Sequence, residues 1–501
     1  MANVVDLPVE LLVKILSSLT CFQLGDCQLI CRHFGQVIAE ASQLQYVLEL
    51  GRWKYQEVPR SNRSVADRLQ SIRTIQNSWR NPQPRSIVKK SLDLPDISVR
   101  ERRWWTAHNG AIVRHTKFKP ASNGQSVTQI DLIDVLSVLD KPSPKASFML
   151  KFPYNNFYVD VVQGLIVAVE LERESTIHLH LLSIVSGGVH PNAQRAAIVR
   201  PRPAKDVYMD ISVRAVVGPF LCIDNTAGPD SGPGFSCVEL FHWPSGECIQ
   251  VWERQSSAFL PSGILLMAGT QRLQDHLQPF IEVWKVGEEY TPESKPIHVA
   301  TYLLPLLPLN SYPGMYFGGN TCDVASSGTD LGFRPSQCAL LLLNQGGHDL
   351  IVSTDVFKDV CTSNADRDRA AEPPVYTWSE WGPSYTRIMS GAWGTSPRCG
   401  YRILHGGEIW DFTPNMASEP LDLAASAPQS VCHIHKQECV YSQVGSAAAM
   451  PCRRIRADAV MGESKRRDVS YMIETASGPV VLMFHVHFAH HVPPSVSILY
   501  L

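Results

Sequence analysis

From about residue 95 onward, short apolar or alternating runs follow one another through this 501-residue chain with almost no helical periodicity. FYVDVV (157–162), LIVAVEL (165–171), TIHLHLL (176–182), FIEVWKV (280–286), CALLLLN (338–344) and VVLMFHVHF (480–488) are separated by Gly, Pro, Ser and Asn clusters, the pattern of strands and tight turns. About 400 residues of such strands are too many for one sandwich, so the segment must be a propeller or another large repeat array. Internal similarity supplies a period. VELFHWPSGECIQVW (238–252) reads as a strand, a Pro-Ser-Gly turn and a second strand; IHLHLLSIVSGGVHP (177–191) aligns on its Ser-Gly pair, and IEVWKVGEE and GEIWDFTPN share the strand ending. Trp243 to Trp284 is 41 residues and Trp284 to Trp410 is 126, three times 42. A period of roughly 40–45 residues is that of a four-stranded propeller blade, which predicts six or seven degenerate blades over residues 95–501. Ser186 to Ser245 is 59 residues, so an insertion is expected there, at NTAGPDSGPGF (225–235). CTSNADRDRAAEPP (361–374) and NMASEPLDLAASAPQS (415–430) read as surface excursions rather than as a further domain.

The N-terminus has a different pattern. Pro8 suits the first turn of a helix, where its missing N–H costs nothing, and Leu11, Leu12, Ile15, Leu16 and Leu19 recur behind it at helical spacing. A break at Thr20 and Cys21 leads to a second helix with Leu24, Leu29 and Ile30, then a third with Phe34, Val37, Ile38 and Ala41. Further on, NRSVADRLQSIRTIQNSWRNPQP (62–84) puts Val65, Leu69, Ile72, Ile75 and Trp79 on one stripe and ends at prolines, as a connecting helix docked on the region C-terminal to it. The expected division is a three-helix module at 1–50, a linker with a helix at 51–94 and the mainly-β array at 95–501. Three short helices cannot bury enough surface to be comfortably stable alone. Their apolar face is wider than they can cover for one another, so a partner is expected on it.

The charge balance argues against nucleic acid and membrane surfaces as partners, since 45 Lys plus Arg face 47 Asp plus Glu. Asp6 and Glu10 sit where a secretory signal would be apolar, and YLLPLLPL (302–309) is too short and too interrupted by proline to cross a bilayer. The thirteen cysteines are odd in number and without framework spacing, which suits a reducing compartment, cytosol or nucleus, and mostly buried thiols.

LPVELLVKILSSLTCFQLGDCQLICRHFGQVI resembles the F-box, in the order and spacing of Leu7, Pro8, Glu10, Leu11, Ile15, Leu16, Cys31, Arg32 and Phe34. The resemblance covers about forty-five residues and implies a module that docks on the Skp adaptor of a cullin-based ubiquitin ligase. Leu7, Pro8, Leu11, Ile15, Leu16 and Leu29 are the expected adaptor contacts, with Leu12 and Leu19 serving the module's own core. RLQSIRTIQNSW, FYVDVVQGLIVAVELE, SGGVHPNA and WSEWGPSYTRIM (378–389) make the rest similar, more diffusely, to fungal F-box proteins with a degenerate, WD-repeat-like propeller. Together these imply a substrate-recruiting ligase subunit that performs no chemistry and carries no cofactor. Two rivals stand beside that expectation: an F-box scaffold acting outside a ligase, and a propeller enzyme.

Enzyme motifs are lacking: no G-x-S-x-G, G-x-x-x-x-G-K-[ST], H-E-x-x-H or G-x-G-x-x-G turn occurs. In CHIHKQEC, strand alternation puts His433 and His435 on one face and Cys432 on the other, with Cys439 beyond, which favours an ordinary blade strand over a zinc site. His485, His487, His490 and His491 have no acidic or thiolate companion. Arg453, Arg454 and Arg456, and Lys465, Arg466 and Arg467, would have to converge to grip an anion and otherwise read as solvated turn residues. Trp378, Trp381 and Trp393 read as core filling.

Overall fold

In the computed structural model the described residues comprise 7–58 and 61–80 and, beyond them, the strands and helices of the ring with many of the turns between them. The N-terminal part is helical: α1 (Val9–Leu16), α2 (Cys21–Ile30), α3 (Arg32–Glu40), α4 (Ser42–Arg52) and α5 (Val65–Arg80). Leu12, Leu16, Leu24, Val37, Ile38 and Leu44 form the core of the first four, with Leu7, Leu19 and Phe34 packed around it. The three helices expected from sequence are there, and a fourth completes their core. Leu44, Val47 and Leu48 hold the i, i+3, i+4 spacing that marks it.

The strands form seven sheets of blade type among the described residues. Blade 1 is Arg102–His108, Ala111–Phe118, Val127–Asp134 and Ala146–Leu150. Blade 2 is Asn156–Asp160, Leu165–Leu171, Thr176–Ser183 and Ala197–Pro201. Blade 3 is Met209–Val217, Phe220–Ala227, Cys237–His242 and Glu247–Trp252. Blade 4 is Ser256–Leu260, Ile264–Leu273, His276–Lys285 and Ile297–Leu303, extended by Leu307–Pro308 and by a parallel edge strand, Val375–Tyr376. Blade 5 is Met315–Phe317, Leu340–Gln345, His348–Ser353 and Thr386–Ser390; blade 6 is Arg398–Cys399, Arg402–His405, Glu408–Asp411 and Arg453–Arg456. Blade 7 takes Val469–Thr475, Gly478–His485 and Ser495–Tyr500 from the C-terminus and Ser86–Ser91 from the N-terminal side, paired in register from Ser86 with Tyr500 to Ser91 with Ser495. Pairing the two ends of the array in one sheet closes the ring and leaves only the short edge strand of each blade. Ser86–Ser91 was expected in the linker; it is instead the outer strand of the last blade.

Each blade is a twisted antiparallel sheet whose alternate side chains meet the next blade, and the apolar clusters fall between blades accordingly. Val113, Ile130 and Leu132 of blade 1 pack on Val159 and Ile166 of blade 2. Val167, Leu179 and Leu181 of blade 2 pack on Val213 and Ile223 of blade 3. Blade 3 meets blade 4 through Cys222, Leu240, Leu265 and Met267, blade 4 meets blade 5 through Leu266, Ile281, Leu341 and Val352, and blade 5 meets blade 6 through Leu342, Ile351, Ile403 and Phe412.

The period read from tryptophans needs one correction. Trp243 directly follows the third strand of blade 3 and Trp284 lies in that of blade 4, one blade on, but Trp410 lies in that of blade 6, so 126 residues span two blades, not three. Blade 5 is lengthened between its third and fourth strands by helices α6 (Asp355–Ser363) and α7 (Trp378–Tyr385). These helices flank the expected polar excursion at 361–374: Cys361–Ser363 end α6, and 364–371 lie outside the described residues. Trp378 and Trp381 are buried in the blade 4–5 core; Trp393 lies outside the described residues. The insertion expected at 225–235 falls between the second and third strands of blade 3, with 228–235 outside the described residues, as is 415–430. Among the seven cysteines whose side chains are described, all free, only Cys222 is fully buried, so thiol burial there is less than expected.

Candidate docking surface

Pro8 is the N-cap of α1, one residue before the helix, and its carbonyl accepts from Leu11 N at 3.0 Å and Leu12 N at 3.1 Å. Thr20 caps α2 through a reciprocal box: its backbone N–H donates to Gln23 Oε1 at 2.9 Å while Gln23 N donates to Thr20 Oγ1 at 3.4 Å. Cys31, extended, separates α2 from α3. These two breaks let α1 and α2 fold back on α3 and α4, and they decide which residues face out.

The periodic apolar face of α1 splits in two. Leu12 and Leu16 point into the core at 1% and 5% exposure, whereas Leu11 and Ile15 stay half exposed. On α2, Leu24 is buried, while Phe22 and Leu29, seven residues apart on one stripe, are 73% and 87% exposed, with Ile30 beside them. Val9 is exposed as well. Six of the sixteen exposed large apolar side chains among the described residues thus fall within residues 9–30; the other ten are spread over the rest of the chain. Of the expected contacts, Pro8, Leu11, Ile15 and Leu29 are on the surface, Leu7 is partly buried against the core, and Leu16 belongs to that core. Leu16, 5% exposed, differs from the expectation of a surface contact, since it packs with Leu24 of α2 and Val37 and Ile38 of α3. Leu12 is in the core, where it was expected, and Leu19 packs partly buried against it. Phe22, Val9 and Ile30 were missed as surface residues, although Phe22 stands seven residues before Leu29 in the sequence.

Gly51, in the last turn of α4, permits this packing. A Cβ there would fall on Cys21 Sγ and Cβ at the start of α2, atoms too close to the backbone to swing aside. Gly51→Ala is expected to cost about 1–3 kcal/mol by overpacking. Amide exchange should accelerate in α2 and leave blade 3 unchanged.

The module is fixed to the ring on several sides. α5 buries Leu69, Ile72, Ile75 and Trp79 against Tyr46, Trp53 and Tyr55 on one side and Leu331, Phe333 and Ile409 on the other. A short strand, Tyr55–Glu57, pairs with Phe333–Pro335. Arg402, buried in blade 6, donates to Asp411 Oδ2 at 3.1 Å and Gln76 Oε1 at 2.9 Å and lies 4.7 Å from the Trp79 ring centroid. The docking helix expected at 62–84 is therefore shared between the helical module and the propeller.

Among the described residues the other charged and metal-ligating clusters weighed from the sequence form no site. Arg453, Arg454 and Arg456 lie on the outer strand of blade 6, where Arg453 pairs in register with Asp411 and Arg456 with Glu408. Lys465, Arg466, Arg467, Cys432, His433, His435, Cys439, His487, His490 and His491 lie outside the described residues, and His485 ends a blade 7 strand. Among the described residues no three His, Cys, Asp or Glu side chains are grouped to hold a metal, and no helix is long and apolar enough to cross a membrane.

The described strands form a seven-bladed ring beside a small helical module that exposes apolar side chains on α1 and α2. Residues 4–44 match the F-box-like family. No curated protein matches the chain significantly. Among solved structures it is similar to the β-propeller domain of the Trilobed protease from Pyrococcus furiosus (8% identity, 50% of this chain and 80% of that one, TM-score 0.24). It is also similar to apo AztD from Citrobacter koseri (11%, 66% and 77%, TM-score 0.27) and to the Pyrococcus horikoshii acylaminoacyl peptidase (8%, 76% and 57%, TM-score 0.28). Likeness at this level says nothing of function, and the blade assignment rests on the strand order within each sheet.

Proposed function

We propose that this chain is the substrate-recruiting subunit of an SCF-type cullin ubiquitin ligase of the cytoplasm or nucleus. Residues 1–50 dock on a Skp-family adaptor, the segment carrying α5 links, and the WD-repeat-like propeller, with Ser86–Ser91 as one of its strands, holds a target protein. One observation carries this reading: the exposed apolar side chains Leu11 and Ile15 of α1 and Phe22 and Leu29 of α2 all lie in the segment that matches the F-box-like family. Pro8 sets where α1 begins, and Leu7 and Leu16 support the face from beneath. The chain contributes proximity rather than chemistry, since holding a target beside the ubiquitin-charged enzyme raises the effective concentration of its lysines. The joint through α5 suits this role because it keeps the propeller at a set position relative to the docked adaptor.

The test is co-purification of the full chain from cells, probed for both adaptor and cullin. Both are expected at stoichiometric levels. Adaptor without cullin, under conditions where a known ligase retains its cullin, would replace the ligase reading with that of a scaffold; neither would overturn the docking reading too.

A further inference from the structure

Lys54 follows α4 in the left-handed region, φ 55°, a conformation that favours glycine and is uncommon for a side chain of its size. Its position is explained by what the side chain reaches. On one side its Nζ lies 6.0 Å from the centroid of the Phe22 ring, on the outer face of α2. On the other it lies 3.7 Å from Asp355 Oδ2, the first residue of α6 in blade 5. Asp355 also accepts from Tyr401 Oη at 2.6 Å and pairs with Lys358 at 3.7 Å. Lys54 is thus a bridge from the docking face to the propeller, about one third exposed at its side chain.

We propose that Lys54 couples occupancy of the docking face to the seating of α6 on the propeller. This rests on the adaptor-docking reading. A partner that covers Leu29 also covers Phe22, which shares its stripe, and removes water from the Lys54 ammonium beside it. A cation over an aromatic ring is held more strongly once desolvated, and so is its pairing with a carboxylate across a drier gap. Binding therefore tightens both contacts, and by reciprocity a well-seated α6 favours binding. Asp355 keeps Tyr401 and Lys358 when Lys54 is replaced, so the substitution leaves the fold intact.

The experiment titrates purified Skp adaptor into the full chain and its Lys54→Met, Lys54→Arg and Asp355→Asn variants, and follows amide exchange of Asp355–Ser363 with and without adaptor. Lys54→Met is expected to bind about fivefold more weakly at an unchanged melting temperature, and Lys54→Arg to bind nearly as the natural chain does. Asp355→Asn is expected to lose about threefold, and the double variant no more than Lys54→Met alone. Adaptor should slow exchange in Asp355–Ser363 in the natural chain and not in Lys54→Met. Equal binding by Lys54→Met, or protection of α6 that persists in it, would overturn the coupling while leaving docking intact. A natural chain that does not bind adaptor would overturn the docking reading and the coupling with it.

Discussion

Asp224→Ala is expected to destabilise the propeller by about 3–5 kcal/mol, the cost of leaving one partner of a buried ion pair uncompensated. Asp224, fully buried on the second strand of blade 3, accepts from Arg214 Nε at 2.5 Å, from Ser256 Oγ and Ser257 N at 3.0 Å each, and from Ser257 Oγ. Ser256 Oγ in turn accepts from Phe317 N at 3.2 Å. One carboxylate thereby joins strands of blades 3 and 4 and, through Ser256, blade 5. Removing it takes their carboxylate acceptor from the Arg214 guanidinium, two buried hydroxyls and the buried Ser257 N–H. Asp224→Asn keeps the shape and loses the charge, and should cost less. Urea unfolding followed by tryptophan fluorescence reads both; an unchanged midpoint in Asp224→Ala would show that the apolar clusters hold these blades unaided.

Such pairs were not legible in the sequence. Arg114 with Asp131, Arg214 with Asp224, Arg254 with Glu282 and Arg402 with Asp411 each brace a blade. The partners stand 9 to 28 residues apart, on different strands or in the turn before one, so nothing in the local pattern links them. What was legible is what local periodicity controls. The stripe from Leu69 to Trp79 is buried as its spacing requires, and of the break expected at Thr20 and Cys21, Thr20 caps α2, which begins at Cys21. Periodicity failed where a helix has two partners. It marked α1 as amphipathic, and Leu12 inward with Leu11 and Ile15 outward followed the expectation, but the burial of Leu16 did not, because that depends on where α3 and α4 lie. The blade count was within reach, but the 42-residue period was not, because α6 and α7 lengthen blade 5 at the point where the tryptophan spacing crosses it.

Leu11→Asp combined with Leu29→Asp is expected to weaken adaptor binding by at least a hundredfold, roughly 3 kcal/mol or more, since each places a carboxylate in a desolvated apolar contact. Both positions face solvent in the free chain, at 48% and 87% exposure, so the variant should fold and melt as the natural chain does. Leu16→Ala separates surface from core: it removes side-chain volume from beneath the face, should cost about 2–5 kcal/mol of module stability, and weakens binding only as far as the module loosens. The most direct measurement is calorimetric titration of Skp adaptor into the full natural chain and into the Leu11→Asp/Leu29→Asp variant, with melting curves of both. Docking through this face predicts tight binding by the first and none measurable by the second, at matching melting temperatures. Equal affinity in a correctly folded variant would contradict it.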